Sequence, residues 1–217
     1  IGLAITTPAG LIVVSGDYKF DPTPIDNWPS DIAKLAELGT RNVLALFSDS
    51  TNSERPGTTP SEKDINKAFE EVFVNARGRV IISSFASLIS RLQQLSTIAR
   101  RHHRKICIVG TSMVDNVNSA KRLGYLYLPD EWVVTLEEAL HLPDKEVLIL
   151  CTGSQGEPTS IMGRLSTGKY YAFSIKEGDT VMLSSNPIPG NEERVSAVIN
   201  RLYRMGANVI YNSLLSV

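Results

Sequence analysis

Hydroxyls, glycines and a few carboxylates gather where apolar runs end. Ser48-Asp49-Ser50-Thr51-Asn52, Ser83-Ser84-Phe85-Ala86-Ser87, Gly110-Thr111-Ser112, Thr152-Gly153-Ser154-Gln155-Gly156-Glu157-Pro158 and the stretch from Ser184 to Glu192 each follow a short apolar segment. Residues of this kind just ahead of a helix present backbone N–H donors and the positive end of the helix dipole, which receive anionic oxygens. The chemistry that fits is the binding of a phosphate-bearing ligand. Any one of these loops is equally well explained as an N-cap or turn, and it is their recurrence on one predicted sheet edge that points to a ligand. A second feature is Ser15-Gly16-Asp17-Tyr18-Lys19-Phe20-Asp21, where Asp17 follows an apolar strand and reads as a metal ligand or as a turn residue after Gly16. His102, His103 and His141 form no HxH or HExxH pattern.

The elements that must position these residues alternate. Apolar runs at Gly2 to Thr6, Leu11 to Ser15, Asn42 to Ser48, Arg79 to Ser84, Lys105 to Gly110, Glu146 to Thr152, Thr180 to Ser185 and Asn208 to Asn212 read as strands. The first two flank Pro8-Ala9-Gly10 and predict an antiparallel hairpin. Stretches of helical period separate the rest, so the class is α/β with a parallel sheet. Thr59-Pro60-Ser61-Glu62 has the form of a capping box opening a helix that stops near Gly78, with Ile65, Ala68, Phe69, Val72 and Phe73 on its inner face. Leu88 to His102 and Asn191 to Met205 repeat the apolar stripe. The polar segment Asn52 to Pro60 reads as a boundary between the hairpin region and the regular series. Arg100, Arg101, Arg104 and Lys105 either complement a helix end or touch a nucleic-acid backbone, and Phe85 either stacks a base or anchors its loop.

Composition narrows the classes. With 42% hydrophobic and 21% charged residues, 15 Gly and 11 Pro, the 217-residue chain is neither disordered nor repetitive. No run approaches the roughly 20 apolar residues of a membrane span, and the first 15 residues show no basic n-region followed by an apolar h-region. Cys107 and Cys151 lie in or at the end of apolar runs, as core thiols of a reduced cytoplasmic protein do. A net charge of −1 announces no global attraction to polyanions, so phosphate must be met locally, by neutral donors. These residues suit a nuclease and a sugar-phosphate-binding or isomerase domain equally.

Taken in order, Gly16-Asp17-Tyr18-Lys19-Phe20-Asp21, Ser48-Asp49-Ser50-Thr51-Asn52, Phe85-Ala86-Ser87, Thr152-Gly153-Ser154-Gln155-Gly156-Glu157-Pro158 and Pro187-Ile188-Pro189-Gly190-Asn191-Glu192 resemble the bacterial ribonuclease J family along nearly the whole chain. That resemblance implies a metallo-β-lactamase nuclease with an inserted β-CASP domain: residues 1–50 the late part of the first metallo-β-lactamase segment, and 51–217 a Rossmann-like β-CASP domain with helices on both faces of its sheet. It implies two Zn²⁺ ions with Asp17 as their shared ligand, Asp49 as a catalytic carboxylate, and Phe85, Ser87, Ser154, Gln155, Gly156 and Glu157 along the path of single-stranded, 5′-monophosphorylated RNA. It also implies a cytoplasmic, homo-oligomeric parent, without membrane contact, that cuts RNA from the 5′ end and internally. The sequence departs from the common pattern at Leu88 and Ser90, where Asn and His are frequent. The family's HxHxDH motif would precede Ile1 and its later histidine motifs would follow Val217, so the chain is expected to be a piece that is inactive alone.

Overall fold

The computed structural model describes residues 2–51, 53–54, 56–59 and 61–211. Asn52, Pro60 and Asn212, which belong to a predicted loop, helix start and strand end, lie outside the described residues. The chain forms two compact units, Ile1–Asp64 and Ile65–Val217.

In the first unit, β1 (Leu3–Thr7) and β2 (Gly10–Val14) make the predicted antiparallel hairpin. Thr7 closes its turn, its hydroxyl accepting from the Gly10 N–H at 3.2 Å and donating to the Gly10 carbonyl at 2.7 Å. Helix α1 (Ile32–Gly39) is capped by Asp31, whose carboxylate accepts from the Lys34 N–H at 2.9 Å. It leads to β3 (Val43–Phe47), which pairs with β2 in parallel. Leu11, Val13 and Leu38 are the buried apolar cluster of this unit. Ile12, Val14 and Ala45 are half-buried, whereas Leu3, Ile5, Leu44, Leu46 and Phe47 are exposed, Leu46 at 64% and Phe47 at 61%.

Helix α2 (Glu62–Asn75) starts at the end of the first unit and in the second buries the predicted stripe of Ile65, Ala68, Phe69, Val72 and Phe73. Its start differs from the expected capping box, because the helix begins at Glu62. Ser61 Oγ accepts from the Lys63 N–H at 3.2 Å, and the Asp21 carboxylate accepts from the Glu62 N–H at 2.8 Å. The series continues with β4 (Val80–Ser83), α3 (Ile89–Arg101), β5 (Lys105–Val109), α4 (Thr111–Arg122), β6 (Val133–Val134), α5 (Leu136–His141), β7 (Val147–Cys151), α6 (Ile161–Ser166), β8 (Thr180–Leu183), α7 (Glu192–Arg204) and β9 (Asn208–Ile210). The strands form one parallel sheet in the order β6-β5-β7-β4-β8-β9.

Alternation along each strand divides the core. Ile82, Ile106, Leu150 and Met182 pack with α2, α3 and α4, whereas Ile81, Cys107, Cys151 and Leu183 pack with α5, α6 and α7. The two cysteines are free and buried, and burial pushes the Cys107 thiol up to about 11 and that of Cys151 to about 12. They are inert core residues, as their sequence context implies.

Most of the basic cluster at the end of α3 is used within the fold. Arg104 is buried and donates to the carbonyls of Ala76, Gly78 and Val147 at 2.8, 2.9 and 3.1 Å, while Arg101 pairs with Glu70 at 2.6 Å. Arg79 and Asp179 join the amino ends of β4 and β8 by two hydrogen bonds of 2.8 and 2.5 Å, both side chains buried. Asp179→Ala strands the Arg79 guanidinium without its counter-ion, at a cost of about 3–5 kcal/mol. The melting temperature is expected to fall on the order of 10 °C for a chain of this size, and an unchanged thermal transition would show that the pair supports nothing.

Candidate functional site

The carboxyl ends of the parallel strands collect the candidate residues in each unit. In the first, the ladder between β2 and β3 continues through the Ser15 N–H, which donates to the Phe47 carbonyl at 2.9 Å. The Asp49 N–H then donates to Ser15 Oγ at 2.9 Å, and Tyr18 OH lies 3.3 Å from Ser48 Oγ. The segments carrying Asp17 and Asp49 are thereby brought side by side, as strand order requires.

The two carboxylates are in different states. Asp17 is exposed and makes no hydrogen bond or ion pair among the described residues. Asp49 is also exposed, but its Oδ1 accepts from the Thr51 N–H at 3.0 Å and from the Thr51 hydroxyl at 2.7 Å. These bonds hold the Asp49 carboxyl below the usual carboxylate range. The turn they close therefore persists above the ordinary carboxyl pKa and is lost only as pH falls through the depressed value. No group of three or more His, Cys, Asp or Glu able to hold a metal ion occurs among the described residues.

In the second unit, neighbouring strands send their connections to opposite faces: β4 leads to α3 on one side, and β7 and β8 lead to α6 and α7 on the other. Where such connections part, a crevice opens at the carboxyl ends, and this is where open α/β sheets bind ligands. The ladder runs one residue past the strands, with the Ser84 N–H donating to the Cys151 carbonyl at 3.1 Å and the Ser184 N–H to the Ser83 carbonyl at 2.9 Å. Ser84, Thr152 and Ser184 thus form a row of hydroxyls in register, on the same face as Ile82, Leu150 and Met182 two residues earlier. Ser84 Oγ is buried and has no partner among the described residues.

Around this row the predicted residues separate into exposed and buried sets. The Phe85-Ala86-Ser87 turn enters α3 through the Leu88 and Ile89 N–H groups, which donate to the carbonyls of Phe85 and Ser87 at 3.2 and 3.0 Å. Phe85 is 38% exposed, and Ser87 is exposed beside it. In the loop after β7, Ser154 and Gln155 are each only 2% exposed and Gly156 is buried, whereas Glu157 faces solvent. The Glu157 carbonyl accepts from Ser160 Oγ at 2.6 Å. Gly156 has φ +74°, and a Cβ there would lie 2.7 Å from the Arg194 carbonyl carbon in α7.

Gln155 is fully engaged inside the protein. Its Nε2 donates to Ser185 Oγ at 3.0 Å and to the Asn186 carbonyl at 2.8 Å, and its Oε1 accepts from the Ile188 N–H at 2.7 Å and from Asn191 Nδ2 at 3.4 Å. Sequence reasoning did not single out Arg91. It is 4% exposed, lies 5.4 Å from the Phe69 ring centroid, and its Nη1 donates to the Ser184 carbonyl at 3.2 Å and to Ser184 Oγ at 2.5 Å. The available signal was an arginine lying next to Leu92 on the apolar arc of α3.

This doubly wound parallel sheet, with its hydroxyl-rich loops at the carboxyl edge, is the β-CASP type of domain, and residues 77–202 match the family model described as ribonuclease J, beta-CASP domain. Ribonuclease J of Thermus thermophilus is 51% identical over 97% of this chain and 36% of its own length. That of Synechocystis is 48% identical over 96% of this chain and 33% of its own length, and ribonuclease J2 of Bacillus subtilis is 41% identical over 97% and 38%. The chain belongs to the ribonuclease J family. It spans about a third of the length of the curated relatives it matches.

Proposed function

We propose that the full-length protein is a cytoplasmic, homo-oligomeric two-zinc ribonuclease that hydrolyses RNA phosphodiesters from 5′-monophosphorylated ends and internally. This chain supplies the part that holds single-stranded RNA. The boundary proposed from the sequence, with residues 1–50 as a metallo-β-lactamase segment and 51–217 as the β-CASP domain, goes with that assignment. The observation that carries the reading is the carboxyl edge of a ribonuclease J β-CASP sheet, where the exposed Phe85 ring and the exposed Ser87 stand side by side. Neutral donors suit a net charge of −1, because they grip phosphate without a basic field.

In this reading Phe85 stacks a base and Ser87 donates to a phosphate. Glu157, an acceptor only, takes hydrogen bonds from ribose hydroxyls, while Ser154, Gln155 and Gly156 form the buried base of the phosphate-holding loop. Asp17 is one ligand of the metal centre and Asp49 orients or buffers a proton beside it. The 217 residues by themselves are expected to show no metal-dependent cleavage of RNA, and EDTA-sensitive activity abolished by Asp17→Ala would contradict this.

Phe85→Ala tests the RNA-holding role directly. In the full-length protein it is expected to weaken binding of 5′-monophosphorylated RNA by about 1–3 kcal/mol, with kcat changed little. A lowered melting temperature with KM unchanged would make Phe85 an anchor of its loop instead.

A further inference from the structure

We propose that Gln155 and Arg91 are positioning residues that hold the segment Ser184–Asn191 as a preformed rim of the RNA crevice, acting through that segment without touching RNA. The inference rests on the RNA-holding reading above.

The segment crosses from the carboxyl end of β8 to the start of α7, and Asn186, Ile188, Pro189 and Gly190 in it are exposed. Two buried polar side chains fasten it from opposite directions. Arg91 reaches from α3 to the first residue, holding both the carbonyl and the hydroxyl of Ser184. Gln155 reaches from the loop after β7 to Ser185, Asn186, Ile188 and Asn191. Two of those partners are main-chain groups, a carbonyl that needs a donor and an N–H that needs an acceptor, so they dictate which way the amide faces. All four hydrogen-bonding capacities of the amide are then filled, and none is left for a phosphate. An exposed loop fixed by buried amide and guanidinium groups is already shaped before ligand arrives, which removes an ordering cost from binding.

The experiment uses full-length protein with 5′-monophosphorylated oligoribonucleotides, and reads KM, kcat and amide hydrogen exchange in the absence of RNA. Gln155→Ala is expected to raise KM about five- to tenfold with kcat within about threefold, and to speed exchange at Ile188 about tenfold or more. Should the alanine variant fail to fold, Gln155→Glu keeps the size and the acceptor but cannot donate to the Asn186 carbonyl, and the same result is expected. Arg91→Met should raise KM, with Arg91→Lys restoring part of it.

A raised KM without faster exchange would make Gln155 a direct RNA contact and overturn the proposal. So would an unchanged KM in both the Gln155 and Arg91 variants while Phe85→Ala still raises it, and that result would leave the crevice reading standing. If Phe85→Ala leaves KM unchanged as well, the crevice is not the RNA site and the positioning role falls with it.

Discussion

Asp17→Ala in the full-length protein is expected to lower turnover on RNA by several orders of magnitude and to release bound metal. Two-metal hydrolysis depends on a complete ligand set to clamp the attacking and leaving oxygens, and a shared ligand serves both ions. Asp17 is suited to that place because it follows β2, is exposed, and has no protein partner among the described residues. Asp49→Ala offers the contrast. Its carboxylate is already engaged by Thr51, so its loss should impair catalysis while sparing metal content. Kinetics together with elemental analysis on both variants check the pair of roles, and full activity in either, or metal loss in both, would refute the assignment.

Gly156→Val is expected to unfold or strongly destabilise the second unit, by at least about 3 kcal/mol, before any effect on RNA can be read. The sequence suggests that a side chain at Gly156 would obstruct close approach of a phosphate. The structure gives a nearer obstruction, since the Cβ would meet the Arg194 carbonyl carbon at 2.7 Å and the carbonyl oxygen at 2.8 Å, and φ is +74°. Backbone in α7 cannot swing aside as a flexible side chain would. Gly168→Ala separates the two contributions, because Gly168 also has positive φ, +69°, but nothing stands within 4 Å of its Cβ position. It should cost only about 1–2 kcal/mol, the conformational part alone. Thermal melting of both variants checks this, and equal losses would mean that contact with α7 is irrelevant.

Strongly periodic elements were legible in the sequence. The stripes of α2, α3 and α7 and the apolar runs of β4, β5, β7 and β8 lie where hydrophobic spacing puts them, with ends differing by up to about three residues. Helices α5 and α6, of six residues each, are too short to repeat a stripe, and the two-residue β6 carries no pattern. The start of α2 was misjudged because Asp21, about forty residues away in sequence, receives the Glu62 N–H, and no local motif encodes that bond. For the candidate site, parallel strands all point the same way, so the loops that follow them could be expected on one edge, whereas the order of the strands within the sheet could not be read. What could not be expected was which of their polar groups face inward. Ser154 and Gln155 read like Ser87 in a string of letters, and only packing tells a buried clamp from an exposed donor.

The three strands of the first unit bear on handling the protein at the bench. Leu3 and Ile5 on one strand and Leu44, Leu46 and Phe47 on another present large apolar side chains to water. A preparation of these 217 residues should therefore light up a hydrophobic dye such as ANS and elute from a sizing column as self-associated material. Mild detergent, or the remaining two thirds of a full-length relative, should disperse it, whereas lower salt should not.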